Sequence, residues 1–459
     1  MKLTSLHAIS PIDGRYQKST ESLKNIFSEF SFLKYRLNVE IQWFKKIISL
    51  SKKLNIKSIN KEENIFLDNI LSNFNEKDAI LIKNIEKKTN HDVKAIEYFL
   101  KEKISTSKVL FLISEFIHFS CTSDDINNIA YALMIKDARE KIILPLWYQI
   151  ICILKSMMCK YQNIPMLSLT HGQPATPSTM GKEIAIFYYR IQRQYKKLKK
   201  IEILGKINGT TGNYNAHLSA YPLIDWHKIS EEFITSLGIM WNPYTTQIEP
   251  HDYIAELFNC ISLFNTILIN FNRDFWGYIS LDYFKQKLVE EEVGSSIMPH
   301  KINPIDFEKS EGNLGLSNAL MNYMIHKLPI SRWQRDLSDS TVLRNIGVSI
   351  AYAIIGYNSL LLGLSKLEIN QSELSRKLNE NWSILSEPIQ TVMRRYGIKN
   401  AYEKVKKLVR GKKINRTIIH NFINELNIPI EERERLKCIT PLNYIGGASQ
   451  IVNSLIRKN

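Results

Sequence analysis

Residues 294–304 read Gly-Ser-Ser-Ile-Met-Pro-His-Lys-Ile-Asn-Pro and separate two long stretches of helical periodicity. Glycine, paired serines and two prolines do not fit the interior of a regular helix, so this segment is predicted to be a loop. Its hydroxyls, backbone N–H groups, imidazole, ammonium and amide could hold and deprotonate an anion, on a loop able to close over it. An ordinary polar surface turn is the open alternative.

The segments around this loop are predicted to be helical. Apolar residues recur at helical spacing after residue 125, and long helices are expected near 251–280, 304–328 and 340–365. Another helix is predicted from Thr176 and Pro177, as N-cap and first residue, to Gly205. Alternating β-type runs are nearly absent, so the fold class is all-α. Helices of this length usually need partner helices in a bundle.

The chain of 459 residues is too long for one compact core. Three helical domains are therefore predicted: an N-terminal domain over 1–112, a central long-helix bundle over 113–365, and a small C-terminal domain over 366–459. The last domain is distinguished by shorter amphipathic helices with breaks at Gly397, Gly411, Pro429 and Pro441.

The charge distribution does not favour a nucleic-acid partner. The net charge is +16, but the lysines are spread along the chain beside isoleucine and asparagine, as expected of solvated helix faces. No zinc finger, aromatic-plus-basic motif or low-complexity tail accompanies them. A positive field could still attract a small anionic substrate.

The expected location is the cytoplasm. Five cysteines are scattered without a C-x-x-C pattern, which argues against structural zinc and against a disulfide framework. The N-terminal segment has no apolar core of a secretory signal. No apolar run is expected to be long enough to span a bilayer, so no membrane association is expected.

Two helix starts offer polar groups to an anion. Asn90 is predicted to cap a helix with His91 and Asp92 in its first turn. Thr122 or Ser123 is predicted to cap the next one. A helix N-terminus with two hydroxyls suits an anion, although simple capping is the commoner use.

Five motifs resemble those of one family. Residues 294–304 match the Gly-Ser-Ser-x-Met-Pro-x-Lys-x-Asn-Pro signature of the fumarase/aspartase superfamily at every specified position. The remaining four are similar to those of the bacterial adenylosuccinate lyase family: Ser-Pro-Ile-Asp-Gly-Arg-Tyr at 10–16, Thr-Asn-His-Asp-Val at 89–93, Thr-His-Gly-Gln-Pro-Ala-Thr-Pro at 170–177 and Ser-Arg-Trp-Gln-Arg-Asp at 331–336. The resemblance runs from about residue 5 to the C-terminus.

The resemblance implies a cofactor-free lyase of purine nucleotide biosynthesis that needs no metal. It would release fumarate from adenylosuccinate, giving AMP, and from succinylaminoimidazole-carboxamide ribotide, giving AICAR. It also implies a homotetramer whose central domains share one helical bundle, with each active site built from three chains.

The resemblance also implies the roles of individual residues. Ser295 would be the general base, His171 the general acid and Glu308 the charge partner of His171. Lys301 and Asn303 would bind a succinyl carboxylate, helped by Thr122, Ser123 and Thr170. The nucleotide phosphate and ribose would be held by Arg15, Tyr16, Arg335, Ser340 and Arg344, and the rest of the substrate by Asn90, His91, Asp92 and Gln247.

Other activities remain possible at this point. Argininosuccinate lyase, fumarase and aspartase share the signature loop, but their substrates carry no phosphate and do not need three converging arginines. A non-catalytic helical protein or a basic RNA-binding protein on the same fold is a further alternative. Each arginine could equally form an ordinary surface ion pair.

Overall fold

The structure is a computed structural model, and it describes residues 4–287, 297–298 and 300–457. These residues are mostly helical, which confirms the predicted fold class. The chain divides into two compact units. The first comprises residues 1–147, 194–266 and 312–358, and the second comprises 148–193, 267–311 and 359–459. The predicted division into three domains stays a prediction.

Helices dominate the chain up to residue 160. They are α1 (Glu21–Phe27), α2 (Glu29–Ser49), α3 (Ser51–Leu54), α4 (Lys61–Ser72), α5 (Glu76–Thr89), α6 (Asp92–Ile104), α7 (Lys108–Leu112), α8 (Ser123–Ala138) and α9 (Leu144–Lys160). A 3₁₀ turn lies at Ser114–Phe116, and a π-helical segment, Arg139–Ile143, joins α8 to α9 close to Pro145.

Short strands alternate with helices over residues 165–286. The elements are β1 (Pro165–Thr170), β2 (Gln173–Thr179), α10 (Met180–Leu198), β3 (Leu204–Gly205), α11 (Asn215–Ala220), α12 (Trp226–Ser236), β4 (Met240–Trp241), α13 (Asp252–Ser280) and β5 (Phe284–Gln286). β1 pairs with β2 in antiparallel fashion, and β3 pairs with β4 in parallel fashion.

The remaining chain is again mainly helical. Its elements are α14 (Ile305–Lys327), α15 (Ser338–Leu343), α16 (Ile346–Ser365), β6 (Leu367–Ile369), α17 (Gln371–Asn379), a 3₁₀ turn (Trp382–Leu385), α18 (Ser386–Arg395), α19 (Ala401–Val409), α20 (Arg416–Asn424), α21 (Ile430–Lys437) and α22 (Ala448–Arg457). β6 pairs with β5 in antiparallel fashion. The α13 and α14 bounds agree closely with the predicted long helices.

The first unit is built on apolar helix faces. Leu37, Ile41 and Phe44 on α2 are buried with Ile96 and Phe99 on α6 in one cluster. This spacing of three and four residues places each set on one side of its helix. A second contact stacks the Trp147 and Phe264 rings, with centroids 3.6 Å apart. The unit therefore has an extensive dry core.

The second unit has its own core, formed largely by the C-terminal helices. Leu385, Ile389 and Met393 are buried together with Ile419 and Ile423. The small C-terminal helices predicted after residue 366 are thus confirmed as a packed group of short amphipathic elements.

Residues 165–179 correct one prediction. This segment is a β-hairpin whose turn is His171-Gly172, with φ angles of 53° and 71°. Thr176 and Pro177 lie in β2 and cap no helix; α10 begins only at Met180. The Thr179 hydroxyl instead accepts the Lys182 N–H at 3.2 Å, as an N-cap does. Two prolines are tolerated because a two-stranded sheet has only edge strands.

Two helix boundaries also differ from the prediction. The helix after β2 ends at Leu198, and Gly205 lies in β3 rather than at a helix stop. The helix predicted from Ser340 through residue 365 is two helices, α15 and α16, separated at Arg344.

Three helical stretches contradict the expectation that no apolar run could span a bilayer. Within the described residues, Ser123–Lys160, Asp252–Ser280 and Ser338–Ser365 are long and apolar enough by length and composition alone. In the last two, 67% of the most apolar window is buried inside the protein, which accounts for most of their apolar character.

Candidate active site

The predicted binding residues of the first unit surround the N-terminus of α8. Thr122 occupies the N-cap position, as predicted, and its N–H donates to Asp125 Oδ2 at 2.8 Å. This is half of a capping box, in which the third helical residue turns back to the cap. The Thr122 and Ser123 hydroxyls stand at the positive end of the helix dipole, where an anion is favoured.

Asp125 ties a second segment to the same helix end. Its carboxylate lies 2.8 Å from the Lys206 ammonium, and both side chains are fully buried. It also accepts the N–H groups of Asn208 at 3.0 Å and Gly209 at 3.1 Å. The turn after residue 208 is therefore held against α8. Gln247 joins this turn by donating to the Thr210 carbonyl at 3.2 Å.

His91 meets Ser123 at this helix end. The Ser123 Oγ lies 3.5 Å from His91 Nε2, while His91 Nδ1 accepts the Lys94 N–H at 3.1 Å. With Nδ1 as acceptor, the neutral ring carries its proton on Nε2, which faces the hydroxyl. His91, not Asn90, is the N-cap of α6, so the predicted cap was wrong by one residue. Asn90 ends α5 in a left-handed conformation.

Asp92 links two arginines. It accepts from Arg36 Nη2 at 2.6 Å and lies 3.7 Å from Arg344 Nη2. Although burial opposes ionisation, the charge and hydrogen bond of Arg36 lower the pKa of Asp92. Arg344 also lies 3.7 Å from Glu29 and remains exposed, so most of its guanidinium is accessible.

Arg335 is anchored by two carboxylates. Its Nη1 lies 2.9 Å from Asp124 Oδ2 and 3.4 Å from Asp339 Oδ2. Asp124 directly follows Ser123 on α8, so Arg335 is attached to the helix end that carries the hydroxyls. Ser340 is the neighbour of Asp339 on α15 and is partly exposed.

Arg15 and Tyr16 lie in a series of turns that precedes α1. The Tyr16 N–H donates to the Pro11 carbonyl at 2.8 Å, and Arg15 is exposed. Arg344 lines a small cavity of about 150 Å³ together with Asp13 from the same turns. The three arginines of the predicted phosphate clamp, Arg15, Arg335 and Arg344, therefore all lie on loops or at helix ends of the first unit.

The predicted proton-transfer residues belong to the second unit. Thr170 ends β1 and pairs with Gln173, and His171 stands exposed at the hairpin turn. Glu308 is exposed on α14, where it accepts from Trp276 Nε1 at 3.0 Å. In the described part of this chain, His171 has no hydrogen bond or ion pair, so its predicted pairing with Glu308 stays a prediction.

The signature loop is described only in part. Ser295 lies outside the described residues. Lys301 is exposed, and its N–H donates to the Met298 carbonyl at 3.0 Å. Asn303 is partly exposed, just before α14. Gln286 Nε2 donates to the Ile302 carbonyl at 3.1 Å, which fixes the backbone between these two side chains.

Sequence reasoning missed the residues that hold the site together. They are buried charged groups that each have an oppositely charged partner, namely Arg36, Asp124, Asp125, Lys206, Glu249, His251 and Asp339. Ionisable side chains are almost never buried unless paired. The one available signal was the acidic pair at residues 124 and 125, which lies in the first turn of α8.

Comparison with solved structures defines the fold class. The chain superposes on a fumarate lyase from Mesorhizobium sp. BNC1 with a TM-score of 0.77 and 16% identity, covering 96% of this chain and 98% of that one. A 3-carboxy-cis,cis-muconate lactonizing enzyme from Pseudomonas putida gives a TM-score of 0.76 and 18% identity, with 95% and 96% covered. Residues 14–317 match the family model described as lyase. The chain is thus a lyase of this helical class.

Relatives of higher sequence identity define a family within this class. Residues 331–445 match the model described as adenylosuccinate lyase C-terminal. Adenylosuccinate lyase of Buchnera aphidicola subsp. Acyrthosiphon pisum is 76% identical over 99% of this chain and 100% of its own length. The Escherichia coli K12 adenylosuccinate lyase is 58% identical with the same coverage. This chain belongs to the adenylosuccinate lyase family.

Proposed function

We propose that the chain catalyses two cofactor-free β-eliminations of purine nucleotide biosynthesis. One releases fumarate and AMP from adenylosuccinate, and the other releases fumarate and AICAR from succinylaminoimidazole-carboxamide ribotide. Both substrates carry a ribose 5′-phosphate and an N-succinyl group, so one site can serve both.

The observation that carries this proposal is the anchored pair of arginines in the first unit. Arg335 and Arg344 are each held by carboxylates on the elements that also present Ser123 and His91. A guanidinium fork matches phosphate oxygens, and anchoring reduces the entropy lost on binding. Arg15, Tyr16 and Ser340 would complete the clamp, while Asn90, Asp92 and Gln247 would contact the remaining nucleotide.

The reaction requires a base, an acid and a cage for negative charge. The proton removed lies next to a carboxylate, and the doubly charged group that forms needs fixed donors. Ser295 would take this proton and His171 would deliver one to the leaving nitrogen. Thr122, Ser123, Thr170, Lys301 and Asn303 would supply donors. A serine hydroxyl is a weak base and needs activation, for which the Lys301 charge is suitable.

The active site is proposed to form in a homotetramer, from residues of three chains. The single chain leaves large apolar residues exposed on its long helices, including Leu263, Leu316 and Tyr323. Such residues suit helix-to-helix contact with another protomer. In addition, only 39% of the most apolar window of Ser123–Lys160 is buried in the single chain. Glu308 of a different protomer would then be the partner of His171.

Small nucleotides are the proposed partners, and the cytoplasm is the proposed location. The family acts on small-molecule nucleotide substrates, which accounts for a positive charge without a nucleic-acid partner. Apolar long helices are accounted for by a shared bundle rather than a membrane. Polynucleotide binding that survives moderate salt would contradict this assignment.

The deciding experiment measures fumarate release from adenylosuccinate by the parent protein, by Ser295→Ala and by Arg335→Gln. We expect near-complete loss of kcat in Ser295→Ala, on the order of 10²–10⁴-fold for a positioned base. Arg335→Gln should mainly raise KM, because it removes a phosphate contact. A parent that releases no fumarate from either succinyl nucleotide would overturn the proposal.

A further inference from the structure

His251 occupies a buried and conformationally strained position just before α13. Its φ angle is +66°, which is uncommon for a residue with a Cβ atom. Its N–H donates to Glu249 Oε2 at 2.7 Å, and its carbonyl accepts the Ile254 N–H at 3.0 Å. Such strain persists where the surroundings hold a residue in place, and it is frequent at functional sites. His251 is not one of the residues proposed for catalysis or substrate binding.

The His251 ring lies between two buried carboxylates. Nε2 is 3.5 Å from Asp339 Oδ2, and Nδ1 is 3.6 Å from Glu249 Oε2. These separations exceed those of good hydrogen bonds, so attraction between charges is the main interaction. Although burial disfavours the cation, Asp339 and Glu249 raise the pKa of His251 to about 9. The ring is therefore an imidazolium ion at neutral pH.

Asp339 connects this imidazolium ion to the phosphate clamp. The same Oδ2 atom that faces His251 also lies 3.4 Å from Arg335 Nη1, whose other carboxylate partner is Asp124. The charged groups that face one another here are Glu249, His251, Asp339, Arg335 and Asp124. In the described structure, Arg335 contacts its carboxylate partners through Nη1 alone. Its Nε and Nη2 groups can therefore donate hydrogen bonds to an anion.

We propose that His251 is a positioning residue for the nucleotide phosphate, acting through Asp339 on Arg335. This inference rests on the proposed function, in which Arg335 binds that phosphate. The imidazolium ion of His251 compensates the negative charge of Asp339, so Arg335 does not have to compensate it alone. Arg335 then keeps part of its charge and two nitrogens for the ligand.

Loss of the His251 charge would leave less positive charge around the buried carboxylates. The three carboxylates of Asp339, Asp124 and Glu249 would then be matched by Arg335 and by Lys206, whose charge also acts on Asp124. A buried carboxylate without a partner is costly, so Arg335 would be drawn more tightly toward Asp339. The phosphate would compete with Asp339 for the guanidinium, and substrate affinity would fall while the proton-transfer groups remained intact.

The test compares steady-state kinetics of His251→Gln with those of the parent, using adenylosuccinate. We expect KM to rise roughly tenfold with kcat within about threefold, since neighbouring charged groups are energetically coupled. The matched control is His217→Gln, which replaces another buried histidine of the same unit that has no contact with Arg335. It should lower thermal stability and leave KM unchanged.

A double-mutant cycle separates positioning from general damage. In the Arg335→Gln background, His251→Gln should raise KM by less than about twofold, because the group it acts through is gone. In the Asp339→Asn background, which leaves the strained backbone at His251 unaltered, His251→Gln should likewise raise KM by less than about twofold, because the competing carboxylate is gone. Thermal melting of each variant reports whether it is folded.

The outcomes distinguish this inference from the proposed function. If Arg335→Gln raises KM but folded His251→Gln matches the parent, the positioning role is wrong and the proposed function stands. Equal effects of His251→Gln in the parent and in Arg335→Gln would also refute it. A parent without activity on either succinyl nucleotide would overturn the proposed function itself.

Discussion

Asp125 is the residue on which the arrangement of the first unit most depends. It accepts the N–H groups of Thr122, Asn208 and Gly209 and pairs with the buried Lys206. A buried carboxylate is stable only when its charge and lone pairs are matched in this way. Its contribution to the site is therefore indirect, because it holds the helix end that carries Ser123 and the turn to which the Gln247 side chain donates a hydrogen bond.

His217 lies close to the same turn and should control acid stability. The ring is fully buried among Trp43, Tyr214 and Trp226, and in the described structure neither ring nitrogen has a hydrogen-bond partner. Burial lowers the pKa of His217 to about 4. The folded state therefore binds fewer protons than the unfolded state between about pH 6.5 and pH 4, and stability falls as the pH falls through this range.

We expect His217→Phe to flatten this pH dependence. The full linkage over this shift is worth roughly 3–4 kcal/mol, from about 1.4 kcal/mol per pKa unit. Melting temperatures at pH 7 and pH 5 should differ less in the variant than in the parent, with exposed His326→Gln as the control. The pKa values of His118 and His251 are raised in the folded state. The stability that these two residues contribute is therefore lost only as the pH rises above 6.5. An unchanged difference between the two pH values would refute the assignment.

The β1–β2 hairpin is the element that presents His171. Its two-residue turn places both His171 and Gly172 at positive φ, which matches the right-handed twist of paired strands. A histidine at such a turn points away from the core, and this is consistent with an acid that must reach a substrate.

Glycine substitutions at two positions test this turn. Gly172→Ala should destabilise the protein by about 1 kcal/mol, because nothing lies within 4 Å of the added Cβ and only the positive φ is unfavourable. Gly277→Ala, in the interior of α13 with equal open space, should instead stabilise by about 0.5–1 kcal/mol. Chemical unfolding of both variants measures whether each substitution raises or lowers the free energy of unfolding. A Gly172→Ala protein as stable as the parent would contradict the turn geometry.

The elements that sequence reasoning predicted well are those with long apolar periodicity. α13 and α14 were placed to within a few residues because their patterns extend over many turns. The hairpin was mistaken for a loop and helix start because a Thr-Pro pair is also a common cap. The α6 start was shifted by one residue because Asn90 suits both a cap and a left-handed helix end.

At the scale of the whole molecule, the proposed tetramer makes a prediction about mixed subunits. If each site takes residues from three chains, inactive His171→Ala and Ser295→Ala proteins should regain part of the parental activity when mixed and allowed to exchange subunits. Some mixed sites would then contain both an intact acid and an intact base. Fumarate release from adenylosuccinate measures the recovery.

The control for this mixture is each variant incubated alone under the same conditions, which should stay inactive. Subunit exchange must be verified separately, for example by native mass spectrometry of protomers of different mass. Verified exchange without recovered activity would contradict shared active sites.

The amino-acid sequence alone determined the helical class, the long central helices and the family, because periodicity and motif order are properties of the linear chain. Only the tertiary structure decided which charges are buried together. Asp125 and Lys206 lie far apart in sequence, as do Asp124 and Arg335, and no local pattern marks them as partners. The energy of a buried charge depends on its neighbours in space, and those neighbours are brought together only by the packing of whole elements.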